Sequence, residues 1–204
     1  MANTGAELSK AIRACLTEFV KCADELGDLD QAIGDGDLGI TASSGSNAVD
    51  AALAELPETA TPSEVVLACA KAFANANPST MAALVAGGLL AGSKTLRDVD
   101  EVGMDHVGSF VKAAADSIGT RGKSQVGDKT ILDAMVPAAE AFSSDADNKL
   151  DAAITAAAAG VESSTGLQSR RGRASWLQER SIGLQDPGAT GFLRFLEAWR
   201  TANA

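Results

Sequence analysis

The sequence predicts an all-α protein. Alanine, the residue most favourable to helix, is in great excess, while aromatic residues make up only 4% of a chain that is 46% hydrophobic and tyrosine is absent. Apolar residues also recur at helical spacing along most of the chain, and no strand signal interrupts them. At 204 residues the chain fits one domain able to bury a proper core.

The elements follow in order. Leu8, Ile12, Cys15, Leu16, Phe19, Ala23 and Leu26 predict one amphipathic helix ending near Gly27. A second helix is expected after Thr41 through Val49, Leu53 and Leu56, closed by Pro57, which lacks a donor and has a restricted φ. Thr61, Pro62 and Glu64 read as a capping box with proline at the first helical position, opening a third helix to about Ala76. After the break at Asn77 and Pro78, a small-residue helix runs from Ser79 to about Arg97. Gly87 and Gly88 would each weaken it by about 1 kcal/mol, which close helix approach would offset.

Val107, Phe110, Val111, Ala114 and Ile118 mark a fifth helix, followed by the basic, glycine-rich loop "GTRGKSQVGDKT". Ile131 to Phe142 and Leu150 to Val161 are the sixth and seventh. The polar stretch "ESSTGLQSRRGRASW" reads as a loop, and Asp186 caps a last helix carrying Phe192, Leu193, Leu196 and Trp199. Seven or eight helices and four conspicuous polar loops result, without an internal repeat.

A net charge of −10, from 27 acidic and 17 basic residues, argues against a general nucleic-acid binder. Cys15 and Cys22 share a helical face and read as core residues, which fits a reducing cytoplasm. The N-terminal stretch has charges in every turn and no apolar core, so no signal peptide is expected. The longest weakly polar run, residues 81–92, is too short to cross a bilayer, which predicts a soluble protein without membrane association.

The stretch "LDQAIGDGDLGIT" carries the strongest chemical signal. Asp30, Asp35 and Asp37 crowd three negative charges together, and like charges at close range repel unless protons or cations intervene. Gly34, Gly36 and Gly39 would admit positive φ and turn Asp35 and Asp37 towards one point. Oxygen ligands without His or Cys favour Mg²⁺ or Ca²⁺ over zinc, and the spacing fails the EF-hand pattern, with Gly39 or Ser46 at its twelfth position. The plainer reading is a flexible acidic turn.

Magnesium commonly binds through carboxylates plus substrate phosphates, so such a loop predicts anion-facing donors elsewhere. Ser79 with Thr80, Gly122 and Lys123 with residues 127–130, and the arginines of 170–173 qualify by chemistry. "GGLLAGSKT" approaches a phosphate-binding P-loop, but Ser93 intrudes before Lys94 and no strand precedes it.

These motifs resemble the L subunit of dihydroxyacetone kinase. "LDQAIGDGDLG" is similar to that family's metal motif, "RGKSQVGDKTILDAMVPA" to its second block and "GRASWLQERSIGLQDPGA" to its third, in the family's order and over nearly the whole chain. The resemblance implies an antiparallel eight-helix barrel with a nucleotide, ATP or ADP, capping one end. Asp30, Asp35 and Asp37 would hold two Mg²⁺ ions. Leu38, Gly39, Ile40, Thr41, Ser79, Thr80, Gly122, Thr130, Ile131, Arg173, Asp186, Pro187 and Gly188 would contact the nucleotide, with Ile131 in the base pocket.

The same resemblance implies phosphoryl transfer to dihydroxyacetone or a related small ketose, held by a separate K-type subunit through that subunit's own histidine, and the chain's departures from the family point to another small ketose such as a tetrulose. A homodimer is expected, and in some family members a histidine phosphotransferase subunit recharges bound ADP. No residue of this chain is assigned a catalytic role, and His106 matches no family motif. The chain departs from the family at Leu38, where histidine is usual, and at residues 77–81, where a Gly/Ala-Ser-Gly run is usual. Leu38 motivates a second reading, a non-catalytic nucleotide-binding regulator.

Overall fold

A computed structural model describes residues 3–204, and within them the chain forms nine α-helices. They are α1 (Gly5–Phe19), α2 (Ala23–Ile33), α3 (Leu38–Ala54), α4 (Pro62–Ala76), α5 (Thr80–Ser93), α6 (Met104–Gly122), α7 (Leu132–Phe142), α8 (Lys149–Thr165) and α9 (Pro187–Ala202). Only the 3₁₀ turn Val20–Cys22 separates α1 from α2, so the two form one kinked wall, and the walls number eight. From α2 onward each helix packs on the next in sequence, and α9 returns to α1 and α2, closing the antiparallel barrel.

Because successive helices run in opposite directions, their connections alternate between two ends. At one end Asn3 and Val102 exchange backbone hydrogen bonds of 2.9 and 2.7 Å, and Lys149 pairs with Asp105 at 2.8 Å. That end collects the α3–α4, α5–α6 and α7–α8 connections. The other end collects α2–α3, α4–α5, α6–α7 and α8–α9, the four polar loops of the sequence.

The core explains the alanine. Ala134, Ala138, Ala153, Ala157 and Ala189 are fully buried among α7, α8 and α9, alongside Leu132, Phe142, Ile154 and Leu193. A second cluster joins Leu8, Leu16, Val49, Leu53, Val65, Val66 and Cys69 from α1, α3 and α4. Small side chains let helices approach closely, and that contact replaces the area that aromatics would have buried. The expected close approach at Gly88 is present: a Cβ there would lie 3.2 Å from Ile118 of α6. Cys15 and Cys69 are core residues, and burial pushes both thiols up to about 12.

Local signals at several helix starts hold. Thr61 and Glu64 form the reciprocal capping box, with Pro62 at the first helical position, and the Asp186 carboxylate accepts from Ala189 N–H at 2.7 Å. Five boundaries differ from expectation, one of them the end of α5, which stops at Ser93 with only the 3₁₀ turn Lys94–Leu96 beyond it. The first helix kinks at Val20–Cys22, placing Cys22 in the turn, and then continues through Gly27 to Ile33. A single glycine costs a helix only about 1 kcal/mol, and burial of Leu26 and Ile33 outweighs it. The next helix begins at Leu38 rather than after Thr41, α6 extends to Gly122, and α8 extends to Thr165. Among the described residues no helix is long and apolar enough to cross a membrane.

Candidate functional site

Asp30 projects from the last turn of α2, whose C-cap Gly34 donates to the Asp30 carbonyl at 2.5 Å. Gly36 has φ +76°, a left-handed value that glycine adopts freely, and it reverses the chain into Asp37 at the head of α3. Gly34 and Gly39 do not take positive φ, contrary to expectation. Gly39 serves close approach instead, since a Cβ there would collide with the Ala23 carbonyl of α2.

The outcome is a convergence of charge: one carboxylate oxygen each from Asp30, Asp35 and Asp37 lies within 4.8 Å of the others. Burial first, then Asp35 and Asp30, push the Asp37 carboxyl above its ordinary value, and Arg173 opposes them. Arg173 reaches over from the α8–α9 loop to pair with Asp35. Three hard oxygen donors without nitrogen or sulfur suit a divalent cation such as Mg²⁺.

Around this cluster stand the other predicted positions. Leu38 N–H donates to Asp30 Oδ2 at 3.2 Å, while its side chain is buried with Leu26 and Ala42. Gly39 and Thr41 are buried and Ile40 is exposed, all in the first turn of α3. Its N-cap residue, Asp37, makes no side-chain cap, and with the Leu38 amide taken by Asp30 the Gly39 and Ile40 amides are left, among the described residues, as donors for an outside acceptor. Ser79 caps α5 by accepting from Ala82 N–H at 3.0 Å, the plain N-cap reading of the Ser-Thr pair. Thr41 Oγ1 donates to Ser79 at 3.4 Å and accepts from Asn77 Nδ2 at 2.9 Å, tying α3 to the α4–α5 loop. Thr80 is exposed.

On the far side, Gly122 ends α6, where a Cβ would lie 3.1 Å from Ser124 Oγ and 3.8 Å from Leu84, and Thr130 and Ile131 lead into α7 half-exposed. The buried Asp133 carboxylate accepts from Gly127 N–H and Thr130 N–H, both at 2.7 Å, which shapes that entry. Asp186, Pro187 and Gly188 are buried at the head of α9, and a Cβ on Gly188 would touch Met81 at 3.1 Å and Ile131 N at 3.4 Å. The α5, α7 and α9 starts therefore meet. Burial, foremost, pushes the Asp186 carboxyl up to about 6.

Two expected anion-facing groups point elsewhere. Lys129 is only 2% exposed, and its ammonium donates to backbone carbonyls. Arg171 Nε donates to the buried Asp128 carboxylate at 2.9 Å. Arg173 alone of residues 170–173 reaches the aspartate cluster. His106 sits at the opposite end of the barrel, where its Nδ1 accepts from Gly103 N–H at 3.1 Å. Sequence reasoning missed Asn77 and Asp133. The Thr130-x-x-Asp133 spacing, which matches a capping pattern, could have found the second.

Comparison with known proteins adds to this geometry. The family model described as the DAK2 domain matches residues 32–201. L-erythrulose 1-kinase of Mycolicibacterium smegmatis is 35% identical over 201 residues, covering 94% of this chain and 35% of that protein. The ADP-binding subunit DhaL of PEP-dependent dihydroxyacetone kinase 1 of Listeria innocua is 32% identical over 166 residues, covering 80% of this chain and 79% of that one. The chain thus spans about a third of the erythrulose kinase and about four-fifths of the Listeria subunit. The fold matches dihydroxyacetone kinase from C. freundii, solved with AMP-PNP and Mg²⁺, at a TM-score of 0.73 and 19% identity over 97% of this chain and 34% of that one. With the family model covering most of its length, the chain belongs to the DAK2-domain family, with the dihydroxyacetone kinase L-type (DhaL-like) proteins.

Proposed function

We propose that this chain is the nucleotide-binding component of a small-ketose kinase, transferring a phosphoryl group to dihydroxyacetone or a tetrulose held by a K-type subunit. The carrying observation is the convergence of Asp30, Asp35 and Asp37 within 4.8 Å beside four loops at one end of the barrel. The names of relatives, ADP-binding subunits and erythrulose kinases among them, support the reading.

Asp30, Asp35 and Asp37 would hold the Mg²⁺, two ions in this proposal. When bound, Mg²⁺ supplies charge neutralisation to the transferring phosphates. The uncapped amides of Gly39 and Ile40 would donate to phosphate oxygens with the positive end of the α3 dipole behind them. Thr41, Ser79 and Thr80 would add donors from the adjoining helix start, and Leu38 would hold Asp30 in place through its amide. Gly122, Thr130, Ile131 and the head of α9 at Asp186, Pro187 and Gly188 would line the base, with Ile131 as its apolar contact. Arg173 would orient the loop side of the phosphates.

The donor is ATP in exchange, or bound ADP recharged by a histidine phosphotransferase subunit, and the mass of copurifying nucleotide distinguishes them. The proposal places the protein in the cytoplasm as a homodimer. Titration calorimetry with Mg²⁺ and ADP or ATP tests it: Asp35→Asn and Asp37→Asn should abolish binding while circular dichroism stays helical. Unchanged affinity in either variant overturns the reading. Turnover of ketose and ATP with the K-type subunit separates a kinase component from a non-catalytic regulator.

A further inference from the structure

We propose that Lys129 is a positioning residue whose ammonium acts as a built-in cation, fastening both ends of loop 166–185 and so holding Arg173 over the aspartate cluster. Its Nζ donates to the carbonyls of Thr165 and Leu167, where the chain leaves α8, at 3.3 and 3.1 Å. It also donates to those of Ser181 and Leu184, where the chain returns to α9, at 2.7 and 2.6 Å. One ammonium thus bridges the departing and returning strands of the loop.

The chemistry is specific to an ammonium. Lys129 has three N–H donors and nothing that accepts, so a pocket walled by four carbonyls satisfies it as oxygens satisfy a monovalent cation. Among the described residues no carboxylate is hydrogen-bonded to it; burial, foremost, lowers its pKa from the ordinary lysine value, and Asp186 and Asp133 oppose that from farther away, so the four carbonyls are what hold the charged form in place. Thr165 is the last residue of α8, so the ammonium also faces the negative end of that helix dipole. Lys129 takes φ +60°, an uncommon conformation for a residue with a Cβ, which the convergence of the four carbonyls holds in place.

The rest of the loop needs this anchor. Its only regular structure is the 3₁₀ segment Arg173–Ser181, interrupted at Gln178, and connections this long inside a compact domain are uncommon without tethers. Here the neck is closed further by Gly183 N–H to Thr165 O at 2.8 Å and Ser169 N–H to Ser181 Oγ at 2.9 Å. Asp128, the preceding residue, holds the loop's first arm through its carbonyl to Arg170 N–H at 3.0 Å and its carboxylate to Arg171. Two adjacent residues of the α6–α7 loop therefore set where Arg173 stands. The inference rests on the proposed nucleotide site only for what the held loop serves.

The test uses the full chain with Lys129→Met, which keeps the length of the side chain without its donors, and Lys129→Ala, which leaves room for a small ammonium. Arg170, Arg171, Arg173 and Arg180 make trypsin a reporter of loop order. Lys129→Met should retain helical circular dichroism while cleavage at these arginines rises at least about tenfold and Mg-ADP affinity falls by about the same factor, the scale of a lost charged hydrogen bond. In Lys129→Ala, methylammonium chloride should restore protection, and tetramethylammonium chloride, which has no N–H donor, should not. Unchanged cleavage in folded Lys129→Met, or equal effects of the two salts, overturns the proposal. If Lys129→Met does not fold, helix recovery in Lys129→Ala only with methylammonium supports it, and no recovery overturns it. A wild-type chain that fails to bind Mg-ADP would sink the nucleotide reading and leave the protease and ammonium results to decide this one.

Discussion

Arg173 and Asp35, far apart in sequence, form an ion pair across the end of the barrel, joining the α8–α9 loop to the aspartate loop. Both side chains are substantially solvated, so the pair adds little to stability and its consequence is local to the site.

Arg173→Ala should therefore leave global stability within about 1 kcal/mol. It should weaken Mg-nucleotide binding by about tenfold through the lost charged donor. Scanning calorimetry and titration calorimetry on the same sample check this. A large fall in melting temperature with unchanged affinity would assign Arg173 a purely structural role.

Gly27 and Gly39 face the same helix junction and should respond in opposite ways. A Cβ on Gly27 meets nothing nearer than the Gly36 carbonyl at 4.0 Å, so Gly27→Ala should stabilise the protein by about 0.5–1 kcal/mol. A Cβ on Gly39 would collide with the Ala23 carbonyl, so Gly39→Ala should cost about 1–3 kcal/mol and disturb the adjoining aspartate loop. Denaturant unfolding of the pair reads both signs.

Asp186 predicts a pH dependence. Its carboxyl is raised from 3.8 to about 6 in the folded state, so the folded chain binds more protons there than the unfolded chain. This group's contribution is fully present below pH 3.8 and is lost as pH rises through about 6. The loss is on the order of 3 kcal/mol. Asp186→Asn keeps an N-cap acceptor and removes the titration, so the difference in stability between variant and wild type should grow in the variant's favour from about pH 4 to pH 6 and then level off. Parallel unfolding series across that range measure it, and a flat difference would contradict the burial argument.

Leu38 reaches the site through its backbone. Its amide supports Asp30 while its side chain packs with Leu26 and Ala42. Leu38→Ala should cost about 2–4 kcal/mol as a large-to-small core change. Leu38→His should cost stability without strengthening Mg-nucleotide binding. A marked gain in affinity for Leu38→His would instead mean that a side chain at this position faces the ligand.

Legibility from sequence followed the range of the interaction involved. Thr61, Pro62 and Glu64 act within one helical turn, and the capping box they predict is present. Gly27 reads as a stop in the sequence because a local signal cannot weigh the burial of Leu26 and Ile33 against glycine's propensity. Lys129 reads as an anion-facing donor from the chemistry of its loop alone. Its partners lie 36 to 55 positions away and come within reach only when α8 and α9 pack into the barrel.

By itself the sequence determined the helical class, the order of the helices, the caps at Thr61 and Asp186, and an oxygen-only trio of aspartates. These follow from periodicity, side-chain reach within a turn and the chemistry of the residues present. Only the tertiary structure decided that the α2–α3, α4–α5, α6–α7 and α8–α9 loops share one end. It also decided that Asp30 joins Asp35 and Asp37 from inside a helix, and that Lys129 binds four carbonyls while Arg173 reaches Asp35. Those facts depend on ring closure, where burial and long-range hydrogen bonds override local preference.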